Sequence, residues 1–115
     1  MKPDCIFCKM SKGEISIEKI IETDNFFVIK DINPISEGHL LIISKKHYEN
    51  LLHFPTLLGN ELISTAKEAY MKMSKETNSE GFNMIQNNFK AAGQAIGHLH
   101  IHIIPRKQND GVKLN

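Results

Sequence analysis

The sequence has no tryptophan, only two cysteines and four prolines, and no apolar run approaching the ~20 residues of a membrane span. Two cysteines do not make a disulfide scaffold; in a reducing compartment they point to metal or redox chemistry. Basic and acidic side chains nearly cancel, 14 against 13, which leaves a formal net charge of +1 with the histidines neutral. There is no basic block or arginine-rich face, so duplex nucleic acid is not an expected partner. The largest basic pair, Lys45-Lys46, reads as a solvated strand end. Met1-Lys2-Pro3-Asp4 leads straight into a cysteine motif with no signal-peptide core, and we expect a cytoplasmic protein. No repeat, linker or low-complexity stretch divides the chain. The length suggests one domain over residues 1–115, with 107–115 a polar and loose tail.

What is present is concentrated near the end. In Gly97-His98-Leu99-His100-Ile101-His102-Ile103-Ile104-Pro105, three of the chain's six histidines alternate with Leu99, Ile101 and Ile103. Strict alternation is the pattern of a half-buried β-strand. Leu99, Ile101 and Ile103 should enter the core. His98, His100 and His102 should line the opposite face, roughly 6.6 Å apart. Pro105 lacks an N–H and should mark where pairing stops. Three imidazoles in register serve an ordinary wet face no better than Thr or Lys, so they favour function. Two chemistries fit. Alternate histidines can share a zinc that keeps an open position for an activated water. Alternatively, one imidazole is a nucleophile and its neighbours hold the substrate's charge.

Cys5-Ile6-Phe7-Cys8 opens the chain. Cys-x-x-Cys can grip one zinc given two further ligands. A redox pair would instead be expected between a strand and a helix. The local pattern predicts a short helical turn from Cys5 to Ser11, ended by Lys12-Gly13. Strands are expected over Ile17–Glu22 and Phe26–Lys30 as a hairpin, His39–Ser44 as the central strand, and Gly81–Asn88. Phe54-Pro55-Thr56 should start a long helix, with Thr56 at or near its cap, running to Thr77-Asn78. Leu58, Leu62, Ile63, Ala66, Ala69, Tyr70 and Met73 recur at steps of three and four and should form its apolar face. Asp31, at a strand exit, can grip a ligand hydroxyl or cap its own turn. The small-residue loop Phe89 to Gly97 can bring backbone N–H groups close to an anion.

Taken together, these residues resemble the histidine triad (HIT) superfamily over nearly the whole chain. His98-Leu99-His100-Ile101-His102-Ile103-Ile104 looks like its His-φ-His-φ-His-φ-φ signature, and Cys5-Ile6-Phe7-Cys8 resembles the opening of zinc-bearing bacterial members of the Hint and Fhit type. Asp31-Ile32, Gly38-His39, Lys45-Lys46-His47, Asn87, Gly93-Gln94 and Pro105-Arg106 have equivalents in the family. The resemblance implies an α+β fold, with an antiparallel sheet of about five strands, one long helix and a short N-terminal helix, in a homodimer.

It also implies binding of purine nucleotides or their conjugates and cleavage at the α-phosphate of nucleoside phosphoramidates or dinucleoside polyphosphates. His100 would be the nucleophile, since an imidazole of ordinary pKa (~6.5) is mostly neutral at pH 7. His102 would contact the phosphate and help handle protons, and His39 would support the triad. Asp31 would accept from the ribose hydroxyls beside Ile32. Asn87 and the Gly93-Gln94-Ala95 backbone would surround the phosphate. Cys5, Cys8, His47 and His98 would form a closed, structural zinc set. Phe7, Met10 and Ile32 would wall the base.

Three departures stand out: Ala95 where many members have Ser, Phe89-Lys90 for a Gly-acidic pair, and Gly97 for a larger residue. They leave open a nucleotide-binding module with little turnover. A catalytic zinc hydrolase using all three strand histidines is a further alternative.

Overall fold

A computed structural model describes residues 2–114. Five strands form one antiparallel sheet in the order β1-β2-β3-β5-β4, with β1 Ile21–Glu22, β2 Phe26–Lys30, β3 Leu40–Ser44, β4 Gly81–Ile85 and β5 His100–Arg106. Helix α1 (Ile6–Lys12) covers one face and α2 (Gly59–Thr77) the other. The expected α+β fold is therefore present. Among the described residues, no helix is long and apolar enough to cross a membrane.

The two faces follow from period-2 alternation. Phe26, Val28, Leu40, Ile42, Leu99, Ile101 and Ile103 pack against Ala66, Ala69 and Met73 of α2. Phe27, Ile29, Leu41 and Ile43 point the other way, against Phe7 and Met10 of α1. Strands β2 and β3 are thus buried on both faces, which is why their sequences read as continuous apolar runs. Leu99, Ile101 and Ile103 are buried as the alternation predicts.

Several expected boundaries shift for local reasons. The first strand is only Ile21–Glu22, because Ile15 and Ile17 turn away to pack beside α1. Strand β4 stops at Ile85, the partner of His102, after which Gln86 and Asn88 exchange amide hydrogen bonds of 2.9 Å. The long helix is preceded by a 3-10 turn over Thr56–Leu58; its backbone is closed by Leu58 N–H donating to Pro55 O, and Thr56 caps nothing. Ile63 lies half exposed at the edge of the apolar stripe, and Thr65 is buried in its stead. Helix α2 ends as expected, with Asn78 in the left-handed conformation.

Pro105 does not end all pairing. Strand β3 pairs no further than Ile103, but β4 continues to Arg106. The Pro105 carbonyl accepts from Ser36 Oγ at 2.7 Å, on the side that β3 has vacated. A residue's N–H and C=O point to the same side of a strand, so the missing donor costs no ladder bond.

Within the described part of the tail, residues 107–112 are tied to the end of β5. Arg106 donates to both carboxylate oxygens of Asp110 (2.7 and 2.8 Å), and Asp110 accepts from the backbone N–H of Lys107 and Val112. This pairing holds the Asp110 carboxyl far below its usual range. The fold thereby carries Lys113 and Leu114 back to the α1 face of the sheet, where they line a cleft.

Candidate active site and metal-ligand cluster

The three histidines diverge. Strand β5 begins at His100, so His98 sits on the bend before it, rather than in the strand as the alternation suggested. Its ring is fully buried, with Nε2 2.7 Å from the Ser44 carbonyl oxygen. A carbonyl only accepts, so Nε2 carries the proton and Nδ1 keeps its lone pair. That lone pair faces Cys5 Sγ at 3.3 Å, Cys8 Sγ at 3.5 Å and His47 Nδ1 at 3.1 Å. His47 Nδ1 is in turn 3.3 Å from Cys8 Sγ. The four ligand atoms all lie within 4.8 Å of one another and could hold a metal ion. Burial pushes the His98 imidazole down to about 4 and lowers that of His47, keeping lone pairs available, while it raises the Cys5 thiol. Helix α1 supplies Cys8 and its preceding residue Cys5; His47 follows β3; His98 precedes β5. Three remote segments are thus joined at one point.

His100 is fixed by its own strand entry. Its Nδ1 lies 2.8 Å from the His98 carbonyl oxygen, so Nδ1–H donates and Nε2 presents an unshared pair. Phe7 packs edge-on against both His98 and His100, at centroid distances of 5.6 and 5.2 Å. His100 and His102 lie on the α1 face, beside Ile43 and Leu41 of β3, and line a cleft of about 850 Å³. Phe7, Met10, Ile17 and Ile29 form an apolar wall. Asp31, Ile32, Asn87, Gly93 and Ala95 also line it.

His102 meets His39. His39, buried just before β3, places Nε2 2.9 Å from His102 Nδ1 and 3.4 Å from Asp31 Oδ2. The Ile35 backbone N–H donates to His39 Nδ1 at 3.0 Å. Asp31 also caps its own turn by accepting from Asn33 N–H at 2.9 Å, the second of its two readings. Burial lowers the His39 imidazole, opposed by Asp31. The same effect, helped by the charges of His100 and His39, takes His102 down to about 4. Asp31, His39 and His102 also gather within metal-binding reach. They are a poor cation site, because the Ile35 amide keeps the proton on His39 Nε2, the atom a metal would need.

Gln94 does not line the cleft. Its side chain donates to the carbonyls of Glu49 (2.6 Å) and Ile96 (3.0 Å) and accepts from Phe89 N–H (2.7 Å), bracing the loop from within. Gly93, at φ +90°, brings the loop backbone against the Asn87 amide: a Cβ there would lie 3.6 Å from Asn87 Nδ2. Sequence reasoning missed the Ser44 carbonyl, the Ile35 amide and Lys113. The first two act through backbone, which leaves no side-chain signature; the third depends on the Arg106–Asp110 fold of the tail.

The arrangement resembles known proteins along its whole length. The chain is 44% identical over 110 residues to the adenylylsulfatase HINT3 of Arabidopsis thaliana, which covers 96% of this chain but only 56% of the plant protein. It is 39% identical over 107 residues to the adenosine 5'-monophosphoramidase HNT1 of Candida albicans, covering 90% of this chain and 70% of that one. A crystal structure of a zinc-bound histidine triad family protein from Mycobacterium smegmatis superposes with a TM-score of 0.87 at 30% identity, over 97% of this chain and 81% of that one. The HIT domain model matches residues 12–109, so the chain belongs to the HIT domain family.

Proposed function

We propose that the protein is a nucleotide hydrolase or transferase that works through a nucleotidyl-histidine at His100. One observation carries this reading. The His98 carbonyl holds the His100 proton on Nδ1, which leaves Nε2 its lone pair, and His100 lines a cleft together with Asp31 and Asn87. Nε2 attacks the α-phosphorus, and the bond to the leaving group breaks with its electron pair on that group. The imidazole gains positive charge as it does so, and its Nδ1–H bond to a carbonyl strengthens accordingly. Water then attacks the phosphorus and gives up a proton to solvent, and the P–Nε2 bond breaks with its electron pair on Nε2, which releases the nucleotide. Asp31 Oδ2 accepts from the ribose hydroxyls, and the apolar wall takes a purine. Asn87 and the Gly93–Ala95 backbone surround the phosphate. The names of the plant and yeast relatives support nucleoside phosphoramidates or related nucleotide conjugates as the substrate class.

Cys5, Cys8, His47 and His98 fit a zinc ion. Bond lengths of ~2.3 Å to sulfur and ~2.0–2.1 Å to nitrogen put tetrahedral ligands roughly 3.3–3.8 Å apart, close to the 3.1–3.5 Å contacts here. The His98 Nε2–H bond to Ser44 O is the outer support such a ligand needs. Four protein ligands leave no place for water, so the ion would tie α1 and the two strands together rather than take part in the reaction. This set argues against the catalytic-zinc alternative, because His98 faces the thiols while His100 and His102 face the cleft. Thiols ready for metal suit a reducing cytoplasm. A homodimer would cover the free edge of β4, where Phe82 and Met84 are 40% and 44% exposed beside Tyr70.

The test is turnover of adenosine 5'-phosphoramidate by the wild-type protein and by His100→Ala. The variant should lose roughly 10³-fold or more. Equal turnover refutes the assignment, and nucleotide binding without turnover by the wild type makes the protein a binding module. Ala95, which brings no hydroxyl to the cleft, is the feature that favours that second outcome.

A further inference from the structure

We infer that helix α1 couples the two sites. Occupation of the Cys5, Cys8, His47 and His98 set tightens nucleotide binding in the cleft, a bound nucleotide tightens the metal, and Phe7 is the link. The inference rests on the proposed nucleotide cleft and adds a regulation of that site by metal supply.

One short element serves both sites. Cys5 and Cys8 belong to the metal-ligand set, while Ile6, Phe7 and Met10 line the cleft. Phe7 stands between the two thiols in sequence and between the two sites in space. Its ring packs edge-on against His98, a ligand, at 5.6 Å, and against His100, in the cleft, at 5.2 Å. Phe7 is buried, and a close-packed ring cannot shift without disturbing both neighbours.

Little else holds α1 in place. Its 7 residues fall short of the ~12–15 at which an isolated helix becomes marginally stable in water. The N-cap is Cys5, whose side chain caps no amide; its Sγ is turned to His98 Nδ1 at 3.3 Å. Outside the cluster, the side-chain hydrogen bond that ties α1 to the rest of the described fold is Ser11 Oγ donating to Lys45 O at 2.9 Å. The Lys2–Glu49 ion pair before the helix is solvent-exposed and contributes little. What remains is the burial of Phe7 and Met10 against Phe27, Ile29, Leu41 and Ile43. Such a segment opens locally at low free energy. Docked, α1 completes both the ligand set and the apolar wall; undocked, it completes neither. Metal and nucleotide therefore each favour the docked form, and each populates the state that the other binds. Linkage makes the factor the same in both directions.

Binding measurements test this without turnover. Adenosine 5'-monophosphate is titrated calorimetrically into the zinc-loaded protein and into protein stripped by a chelator. Stripping should weaken the nucleotide by roughly tenfold, inside the ~5–150-fold range of such couplings. Zinc affinity, read by competition with a coloured chelator, should rise by the same factor at saturating nucleotide. Equal nucleotide affinity in the two forms, within about twofold, overturns the coupling and leaves the nucleotide reading standing. No binding to either form overturns both.

Amide exchange and one variant locate the link. In the stripped protein the amides of Ile6–Lys12 should exchange faster while the strands stay protected, and the nucleotide alone should slow them again. Amides of α1 that are as slow without metal as with it overturn the part given to the helix, and so does a sheet that opens together with α1. Phe7→Ala keeps all four ligands and should still bind about one zinc per chain. Its nucleotide affinity should be weaker and should change less than about threefold on stripping. A full tenfold dependence in this variant, roughly that of the wild type, overturns the part given to Phe7.

Discussion

Gly38 offers a prediction whose size can be worked out from its surroundings. It sits at φ +84°, in the turn that delivers His39 to β3. In Gly38→Ala the new Cβ would lie 2.8 Å from Thr77 Cγ2, 3.3 Å from Met73 Sδ and 3.4 Å from Pro105 Cγ. Two costs add. The left-handed backbone costs a residue with a Cβ about 1–2 kcal/mol. The contact with buried Thr77, held by its own hydroxyl bond to Met73 O, adds overpacking of about 1–3 kcal/mol. The total is about 2–5 kcal/mol, a large share of the ~5–15 kcal/mol a domain has. At roughly 4 °C per kcal/mol for a chain of this size, the melting temperature should fall by at least 8 °C. Gly13→Ala is the control: φ is +81° there, but no atom lies within 4 Å, so only the backbone cost applies. Urea unfolding of both variants separates the two costs. If Gly38→Ala is destabilised no more than Gly13→Ala, α2 does not close on this turn as described.

Other consequences can be checked alongside. Asp110→Asn removes the carboxylate that ties Arg106 to the tail, so amide exchange over residues 107–114 should speed up while the strands stay protected; unchanged exchange would refute the latch. Cys8→Ser should reduce zinc from about one ion per chain to near none and lower the melting temperature, and full occupancy in this variant would dismiss the metal set. Burial, then the charges of His100 and His39, hold the His102 pKa near 4 against Asp31, whereas an unfolded histidine titrates near 6.5. The unfolded chain thus binds more protons between those values. This contribution to stability is complete above pH 6.5 and is lost as pH falls towards 4. His102→Asn should flatten the fall in stability over that window, and an unaltered slope would contradict the burial.

How much of this could be read in the sequence depended on which atoms carry the information. Alternation in His98–Ile104 placed Leu99, Ile101 and Ile103 in the core, because side-chain polarity reports directly on which face is buried. It could not show that His98 leaves the strand, since a bend before β5 preserves the same letters. Cys5, Cys8, His47 and His98 converge although they span most of the chain. Only the family resemblance linked them beforehand, as spacing alone says nothing about closure in three dimensions. The Arg106–Asp110 pairing is hidden for the opposite reason: both read as ordinary surface charges until the carboxylate is seen to accept from two backbone amides. Gln94 enters the sequence reading only through its backbone; that its side-chain amide is taken by the backbone carbonyls of Glu49 and Ile96 leaves no mark in the sequence. The Ile35 amide has no sequence signature, because every non-proline residue has one.

The measurement closest to the central claim is a direct search for the covalent intermediate. The protein is mixed with adenosine 5'-phosphoramidate, quenched within the first turnover without acid, digested, and its peptides weighed. The account predicts a nucleotidyl group on the peptide bearing the triad, with fragmentation placing it on His100, and none in His100→Ala. Turnover with no adduct at any histidine, or with the adduct on His102, would contradict it.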